Sequence, residues 1–185
     1  MEDTEFQNEK RILILGCGSD NRKKVMMRGD TEDWGGVVVR LDMNPAHEPD
    51  VVWDLNQHPL PFDDREFDEI HAYEVLEHLG SMGDENFFFS EWNEYYRILK
   101  PGGLFYATVP RLDSPWAWAD PSHKRIIVPE TLIFLSQKAY EEQVGVTPMS
   151  DFRYIYHGDF TTLNVDFSDD HFAFVMRKNV NMAEV

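Results

Sequence analysis

The sequence predicts an α/β fold built on a doubly wound, mainly parallel β-sheet, and two observations carry this prediction. Residues 12–15 are four consecutive large aliphatic residues bounded by Arg11 and Gly16. Such a run is typical of a central parallel strand, because a strand covered on both faces lacks polar alternation. Three further apolar segments each lead into an acidic residue. Because the carboxyl ends of parallel strands meet at one edge of the sheet, we expect a ligand site there.

Length and composition predict one globular domain. The chain has 185 residues, of which 42% are hydrophobic, and this is enough for one sizeable core but short for a second. We expect a disordered acidic leader over residues 1–10, a single domain over residues 11–178 and a C-terminal tail over residues 179–185.

The charge and the single cysteine limit the classes of function. The net charge of −17 disfavours nucleic acid as a partner, because a polyanion would be repelled. One cysteine excludes an internal disulfide and fits a reducing compartment. No apolar run reaches the roughly 20 residues that span a bilayer. We therefore expect a cytoplasmic protein that binds neither membranes nor nucleic acid.

The first two predicted strands point to a nucleoside. Gly16 and Gly18 allow a sharp turn after the first strand, with backbone N–H groups facing a ligand. Residues 37–42 form the second predicted strand, and Asp42 ends it where a ribose needs a hydrogen-bond acceptor. Asn21 stands where dinucleotide-binding proteins have a third glycine, so a nucleoside without phosphates fits better.

Three motifs make a family resemblance specific: Leu-Gly-Cys-Gly at residues 15–18, Leu-Glu-His at 76–78 and Leu-Lys-Pro-Gly-Gly at 99–103. Over residues 11–110 the chain resembles the class I S-adenosylmethionine-dependent methyltransferases. The resemblance implies a Rossmann-like, seven-stranded sheet with an antiparallel last strand, and S-adenosylmethionine as cofactor.

The resemblance also implies the cofactor site. Asp42 would accept the ribose hydroxyls, Met43 would pack on the adenine, and Asp54 would accept from its amine. For Asp54 and Glu74, an exposed loop acid is the alternative. No metal is expected. The implied cofactor-binding residues are Leu15, Gly16, Cys17, Gly18, Asp42, Met43, Asp54, Leu55 and Glu74.

The segment over residues 111–125 is the candidate acceptor site, because it leaves the fifth strand at the edge where ligands bind. We expect a small-molecule or protein acceptor and give His123 and Asp120 the catalytic role, since a neutral imidazole accepts protons near pH 7. A capped turn in which His123 pairs with Asp120 is the alternative. His78 and His157 are further candidate bases, and the candidate substrate-binding residues are Trp116, Trp118 and Arg125.

The remaining elements are predicted from local signals. A short helix over residues 22–28 would point its N-terminus at the ligand. Asp84 would cap a longer helix, and Pro129 would begin another that runs through about Tyr140. Residues 160–167 and 172–177 predict a closing antiparallel hairpin.

Two other functions fit parts of the pattern. A nicotinamide-dependent oxidoreductase would use the same glycine turn and Asp42, with Tyr96 and Lys100 as a catalytic dyad, although Asn21 argues against it. A non-catalytic S-adenosylmethionine-binding partner subunit would keep the turn and use the aromatic segment as an interface.

Overall fold

The computed structural model describes residues 9–180 and confirms the predicted fold class. Its seven strands are β1 Arg11–Leu15, β2 Val37–Asp42, β3 Val51–Val52, β4 Phe67–Tyr73, β5 Leu99–Pro110, β6 Phe160–Phe167 and β7 His171–Lys178. They form one sheet in the order β3-β2-β1-β4-β5-β7-β6. Strands β1 to β5 run parallel, and β7 runs antiparallel to both β5 and β6.

The long helix begins where its cap was predicted. The Asp84 carboxylate accepts a hydrogen bond of 3.0 Å from the Phe87 N–H, which satisfies one of the free donors at the helix start. Its buried face includes Trp92 and Tyr95, which pack against Phe105 of β5. The helices are α1 Glu85–Ile98, α2 Trp116–Ala119, α3 Pro129–Leu132 and α4 Gln137–Gln143.

The predicted helix from Pro129 to Tyr140 is interrupted. Pro129 does begin α3, but Ser136 adopts an extended conformation with ψ 120°. Its hydroxyl accepts from the Ala139 N–H at 3.3 Å and so caps the separate helix α4. A serine favours a cap over a helix interior because it bonds nearby backbone groups, and this preference divides the helix.

The predicted helix over residues 22–28 is wrong. Residues 18–36 contain no helix and form an irregular segment that crosses one face of the sheet. The Asp20 carboxylate accepts from the Arg22 backbone and guanidinium, and the Trp34 indole N–H donates to the Asn21 carbonyl at 3.1 Å. These local hydrogen bonds stabilise turns instead of the i→i−4 backbone hydrogen bonds of an α-helix.

The sheet surface beneath this segment is polar, which further explains why no apolar helix face packs there. Alternate residues of β4 point to this side, namely Glu69, His71 and Tyr73. His71 stacks on Tyr106 of β5 with ring centroids 4.4 Å apart, and its Nδ1 lies 2.7 Å from the Tyr73 hydroxyl. The larger apolar core therefore lies on the opposite face, with α1.

Neither end of the predicted domain is tested, since residues 1–8 and 181–185 lie outside the described part of the chain. Among residues 9–180, no helix has the length and apolarity needed to cross a membrane.

Candidate functional site

A pocket of about 560 Å³ opens at the carboxyl edge of the sheet, where the sequence predicts a ligand. Its volume lies in the usual range for a small-molecule site. It brings together six of the predicted cofactor-binding residues with residues of the segment after β5. The lining residues are Gly16, Gly18, Asp42, Met43, His47, Trp53, Asp54, Leu55, Asn56, Val75, His78, Leu79, Ser122 and Lys124.

The glycine turn forms the floor of this pocket. Gly16 and Gly18 have φ angles of 56° and 52°, in the left-handed region that favours glycine. A Cβ atom on Gly16 would also collide with the Val75 side chain. The turn therefore requires glycine at residue 16 both for its conformation and for its close approach to the chain after β4.

Asp42 is fixed as an ionised acceptor at the end of β2. One carboxylate oxygen accepts from the Gly18 N–H and the other from the Asn44 N–H, both at 2.8 Å. Burial acts to raise the pKa of Asp42, but these two bonds and the neighbouring His47 together lower it. Oδ2, which accepts from Gly18, also lies 3.3 Å from Nδ1 of His47, whereas Oδ1 keeps a second lone pair that can accept from a ligand hydroxyl.

The far end of the pocket presents a second acceptor. The Asp54 carboxylate accepts from the backbone and side-chain N–H groups of Asn56 at 2.9 Å each, and these bonds lower the pKa of Asp54. Leu55 is buried beside it, whereas Met43 lies at the rim and is 66% exposed. The pocket thus combines two carboxylate acceptors with apolar contact surface.

Three predicted cofactor residues do not line the pocket. Leu15 and Cys17 are buried behind the turn, where burial and the Asp42 charge raise the pKa of the Cys17 thiol. Glu74 follows β4 with a φ of 55°, which is strained for a non-glycine residue, and its carboxylate lies 3.1 Å from Nδ1 of His171. Val75 lines the pocket at this point instead.

Beside the pocket, Glu77, His78 and His123 form a group that we call the Glu77 cluster. Nε2 of each histidine lies 3.9 Å from Glu77 Oε1, and the two rings meet edge to face with centroids 4.6 Å apart. The Glu77 carbonyl accepts from the Lys124 N–H at 2.8 Å, which holds residues 120–125 against the end of β4.

The Glu77 side chain is buried without hydrogen-bonding partners. It is 2% exposed, and neither carboxylate oxygen has a donor within residues 9–180. Burial raises the pKa of Glu77 to about 8, and the Glu74 and Asp120 carboxylates add to the increase. Burial and the neighbouring His123 lower the pKa of His78. A buried carboxylate without a partner is costly and is typical of a functional site.

The structure places His123 next to Asp120, as the sequence suggests, with 3.9 Å between Nε2 and Oδ2. His123 itself is largely covered, and His78 lines the pocket. His157, the remaining candidate base, lies in a separate groove beside Asn93.

The predicted substrate-binding residues are not brought into the pocket. Trp116 and Trp118 are 62% and 68% exposed, so they do not enclose it. Arg125 is buried, and its Nη2 atom lies 2.6 Å and 2.9 Å from the two carboxylate oxygens of Glu91. Its guanidinium is therefore held by Glu91 and does not line the pocket. The preceding residue, Lys124, lines the pocket and supplies a positive charge there.

Sequence reasoning missed several lining residues, among them His47, Trp53 and Asn56. His47 follows Asp42 by five positions, Trp53 directly precedes Asp54, and Asn56 follows Asp54 by two positions. Their closeness in the chain to the two predicted acidic residues could have identified them as lining residues. Glu77 was also missed as a functional side chain, although it lies within the Leu-Glu-His motif.

Comparisons with known proteins identify the kind of domain. The family model described as "Methyltransferase domain" matches residues 13–107. No curated protein sequence matches significantly.

Solved structures share the fold at low sequence identity. A SAM-dependent methyltransferase from Archaeoglobus fulgidus has a TM-score of 0.56 at 18% identity, covering 94% of this chain and 88% of that one. The N-methyltransferase NodS from Bradyrhizobium japonicum has a TM-score of 0.54 at 12% identity, covering 93% and 87%. The [4+2]-cyclase SpnF has a TM-score of 0.57 at 14% identity, covering 94% and 76%. At these identities the likeness concerns the fold.

Proposed function

Because the chain belongs to the class I S-adenosylmethionine-dependent methyltransferases, we propose that it is an active enzyme that methylates a small-molecule acceptor. The family's cofactor is S-adenosylmethionine, in agreement with the sequence-based expectation. The observation that carries the proposal is the buried, unpartnered Glu77 carboxylate next to the cofactor pocket. A protein that only bound the cofactor would have no need for this costly group.

The residues of the pocket fit the cofactor. Asp42 Oδ1 has a lone pair for a ribose hydroxyl, and Asp54 offers an acceptor for the adenine amine in the same pocket. The left-handed turn at Gly16 lines the pocket, and its lack of a Cβ lets Val75 pack against it beside the cofactor site. The cofactor supplies an electrophilic methyl group, so the protein has to orient the acceptor and exclude water.

The acceptor would enter from the side of His78, Ser122 and Lys124. These residues line the pocket and come from the chain after β4 and the segment after β5. His78 and Ser122 offer hydrogen bonds, while Lys124 favours an acidic or polar group. The net charge of −17 supports a small molecule over a nucleic acid.

The Glu77 cluster would handle the acceptor's proton, with Asp120 as a positioning residue. The Ser122 hydroxyl donates to Asp120 Oδ1 at 2.5 Å, so its oxygen is left to accept from Nδ1–H of His78, 3.0 Å away. This chain of bonds leaves Nε2 of His78 unprotonated on the side of Glu77.

Production of S-adenosylhomocysteine with a panel of small hydroxyl and amine compounds tests the proposal. We expect turnover with at least one compound, and His123→Ala should lower kcat by at least about 100-fold while donor affinity stays within twofold. His157→Ala, in the separate groove, is the matched control for removing an imidazole. Cofactor binding with no product from any compound would favour the non-catalytic partner subunit instead.

A further inference from the structure

We propose that the Glu77 cluster is a binding site for a divalent transition-metal ion of the zinc class. One potential ligand atom from each of Glu77, His78 and His123 lies within 4.8 Å of the other two. Two imidazoles and one carboxylate form a donor set that suits zinc, iron, cobalt or nickel, and it leaves coordination positions open. This ion would be additional to the S-adenosylmethionine cofactor, and the sequence alone predicts no metal.

The donor atoms are close enough to share an ion once their side chains shift inward. Ligand atoms about 2.1 Å from an ion are separated by about 3 Å at right angles and about 4.2 Å when opposite. The two distances from Glu77 Oε1 to the histidine Nε2 atoms are both 3.9 Å, and the three donor atoms lie within 4.8 Å of one another. Binding would therefore draw the donor atoms closer by about 0.5 Å or more, toward the separation of about 3.4 Å in a tetrahedral site.

The charges around the cluster also call for a cation. Glu77 lies near two further carboxylates, those of Glu74 and Asp120. The adjacent Arg125 guanidinium favours the charged form of Glu77, but it is hydrogen-bonded to both oxygens of Glu91 and donates to neither oxygen of Glu77. Both Glu77 oxygens are buried and lack a donor within the described part of the chain. A divalent ion would supply the missing partner.

The surroundings of His78 are those of a metal ligand. Its Nδ1 atom is bonded to the Ser122 hydroxyl, which is in turn bonded to Asp120. Metal-binding histidines usually donate their second ring N–H in this manner, which fixes the tautomer and the ring orientation. The bond leaves Nε2 free, and this atom faces Glu77.

The position of the cluster assigns a role to the ion, and this step rests on the proposed function. His78 lines the cofactor pocket, so the open coordination positions would lie next to the acceptor. A bound ion polarises a coordinated oxygen and lowers the pKa of its proton. The acceptor class would then be a hydroxyl-bearing small molecule, and His123 would act as a ligand in place of a proton acceptor. The acceptor's O–H proton would leave to bulk water, its oxygen would form the new bond to the methyl carbon, and the bond from that carbon to sulfur would break to give S-adenosylhomocysteine.

Titration of the tag-free, chelator-treated full chain with Co²⁺ tests the site, because its visible absorption reports coordination by nitrogen and oxygen. We expect one Co²⁺ per chain, displaced by Zn²⁺ and unaffected by millimolar Mg²⁺, which disfavours imidazole. Glu77→Gln and His123→Ala should each raise the Kd by more than about 100-fold, and Ser122→Ala by about 10- to 100-fold. His157→Ala should leave it unchanged.

Thermal unfolding of the same samples separates loss of the site from loss of the fold. Without metal, Glu77→Gln should be about as stable as the natural chain, because burial raises the pKa of Glu77 to about 8 and the neutral carboxyl group is close to glutamine in shape and charge. Co²⁺ should then raise the Tm of the natural chain and leave that of Glu77→Gln unchanged.

Absence of Co²⁺ binding, or equal affinity in Glu77→Gln, would overturn the metal site. S-Adenosylhomocysteine binding is measured in the same samples. Binding of this product without Co²⁺ binding overturns the metal site alone, whereas Co²⁺ binding without S-adenosylhomocysteine binding supports the metal site and contradicts the proposed function.

Discussion

Removal of the Asp42 side chain is expected to weaken cofactor binding by a magnitude that follows from its contacts. In Asp42→Ala the ligand hydroxyls lose their acceptor, which costs about 1 to 3 kcal/mol. This corresponds to an increase in Kd of about 5- to 150-fold. The Gly18 and Asn44 N–H groups also lose their partner, so the turn is less well ordered before binding.

Calorimetric titration with S-adenosylhomocysteine measures this effect. The matched control is Asp50→Ala, because Asp50 also binds a backbone N–H at 2.9 Å, that of Arg40, yet does not line the pocket. The control should keep the affinity of the natural chain. A Kd for Asp42→Ala within twofold of the control would refute the assigned role of Asp42.

Three further outcomes follow from individual contacts. Gly16→Ala should abolish measurable S-adenosylhomocysteine binding and lower the free energy of unfolding, measured in urea, by at least about 1 kcal/mol. The reason is that the turn needs a positive φ and that the added Cβ collides with Val75. A variant with the affinity of the natural chain would contradict this. Arg125→Ala should lower the free energy of unfolding by about 3 to 5 kcal/mol, because it strands the buried Glu91 carboxylate; a loss below 1 kcal/mol would show that the pair is not buried in solution. The pKa of Asp42 is lower in the folded chain, so its contribution to stability is present above its unfolded pKa of 3.8 and lost as the pH falls through the folded value. The stability gap between the natural chain and Asp42→Asn should therefore close in acid unfolding, and a gap that widened would contradict the sign.

The sheet and the cofactor edge could be predicted because they depend on local patterns. A run of aliphatic residues identifies β1, and an acidic residue at the end of β2 lies beside the turn because parallel neighbours end at the same edge. Asp42 and Gly18 are 24 residues apart in the chain and share a hydrogen bond for this reason.

The acceptor side could not be predicted in the same way, because its contacts depend on tertiary packing. From the sequence, Arg125 is expected to be an exposed cation in a polar segment. In the structure it is buried against Glu91, which lies 34 residues away in the chain, on α1. Likewise, Glu69, His71 and Tyr73 give β4 a polar face that the sequence does not distinguish from a solvent-facing one, so the absence of a helix over it was unforeseen.

Calorimetric titration of the natural chain with S-adenosylmethionine and with NAD establishes which cofactor the pocket binds. We expect one binding site per chain for S-adenosylmethionine, lost in Gly16→Ala, and no heat of binding with NAD. Binding of NAD without binding of S-adenosylmethionine would contradict it and would favour the oxidoreductase.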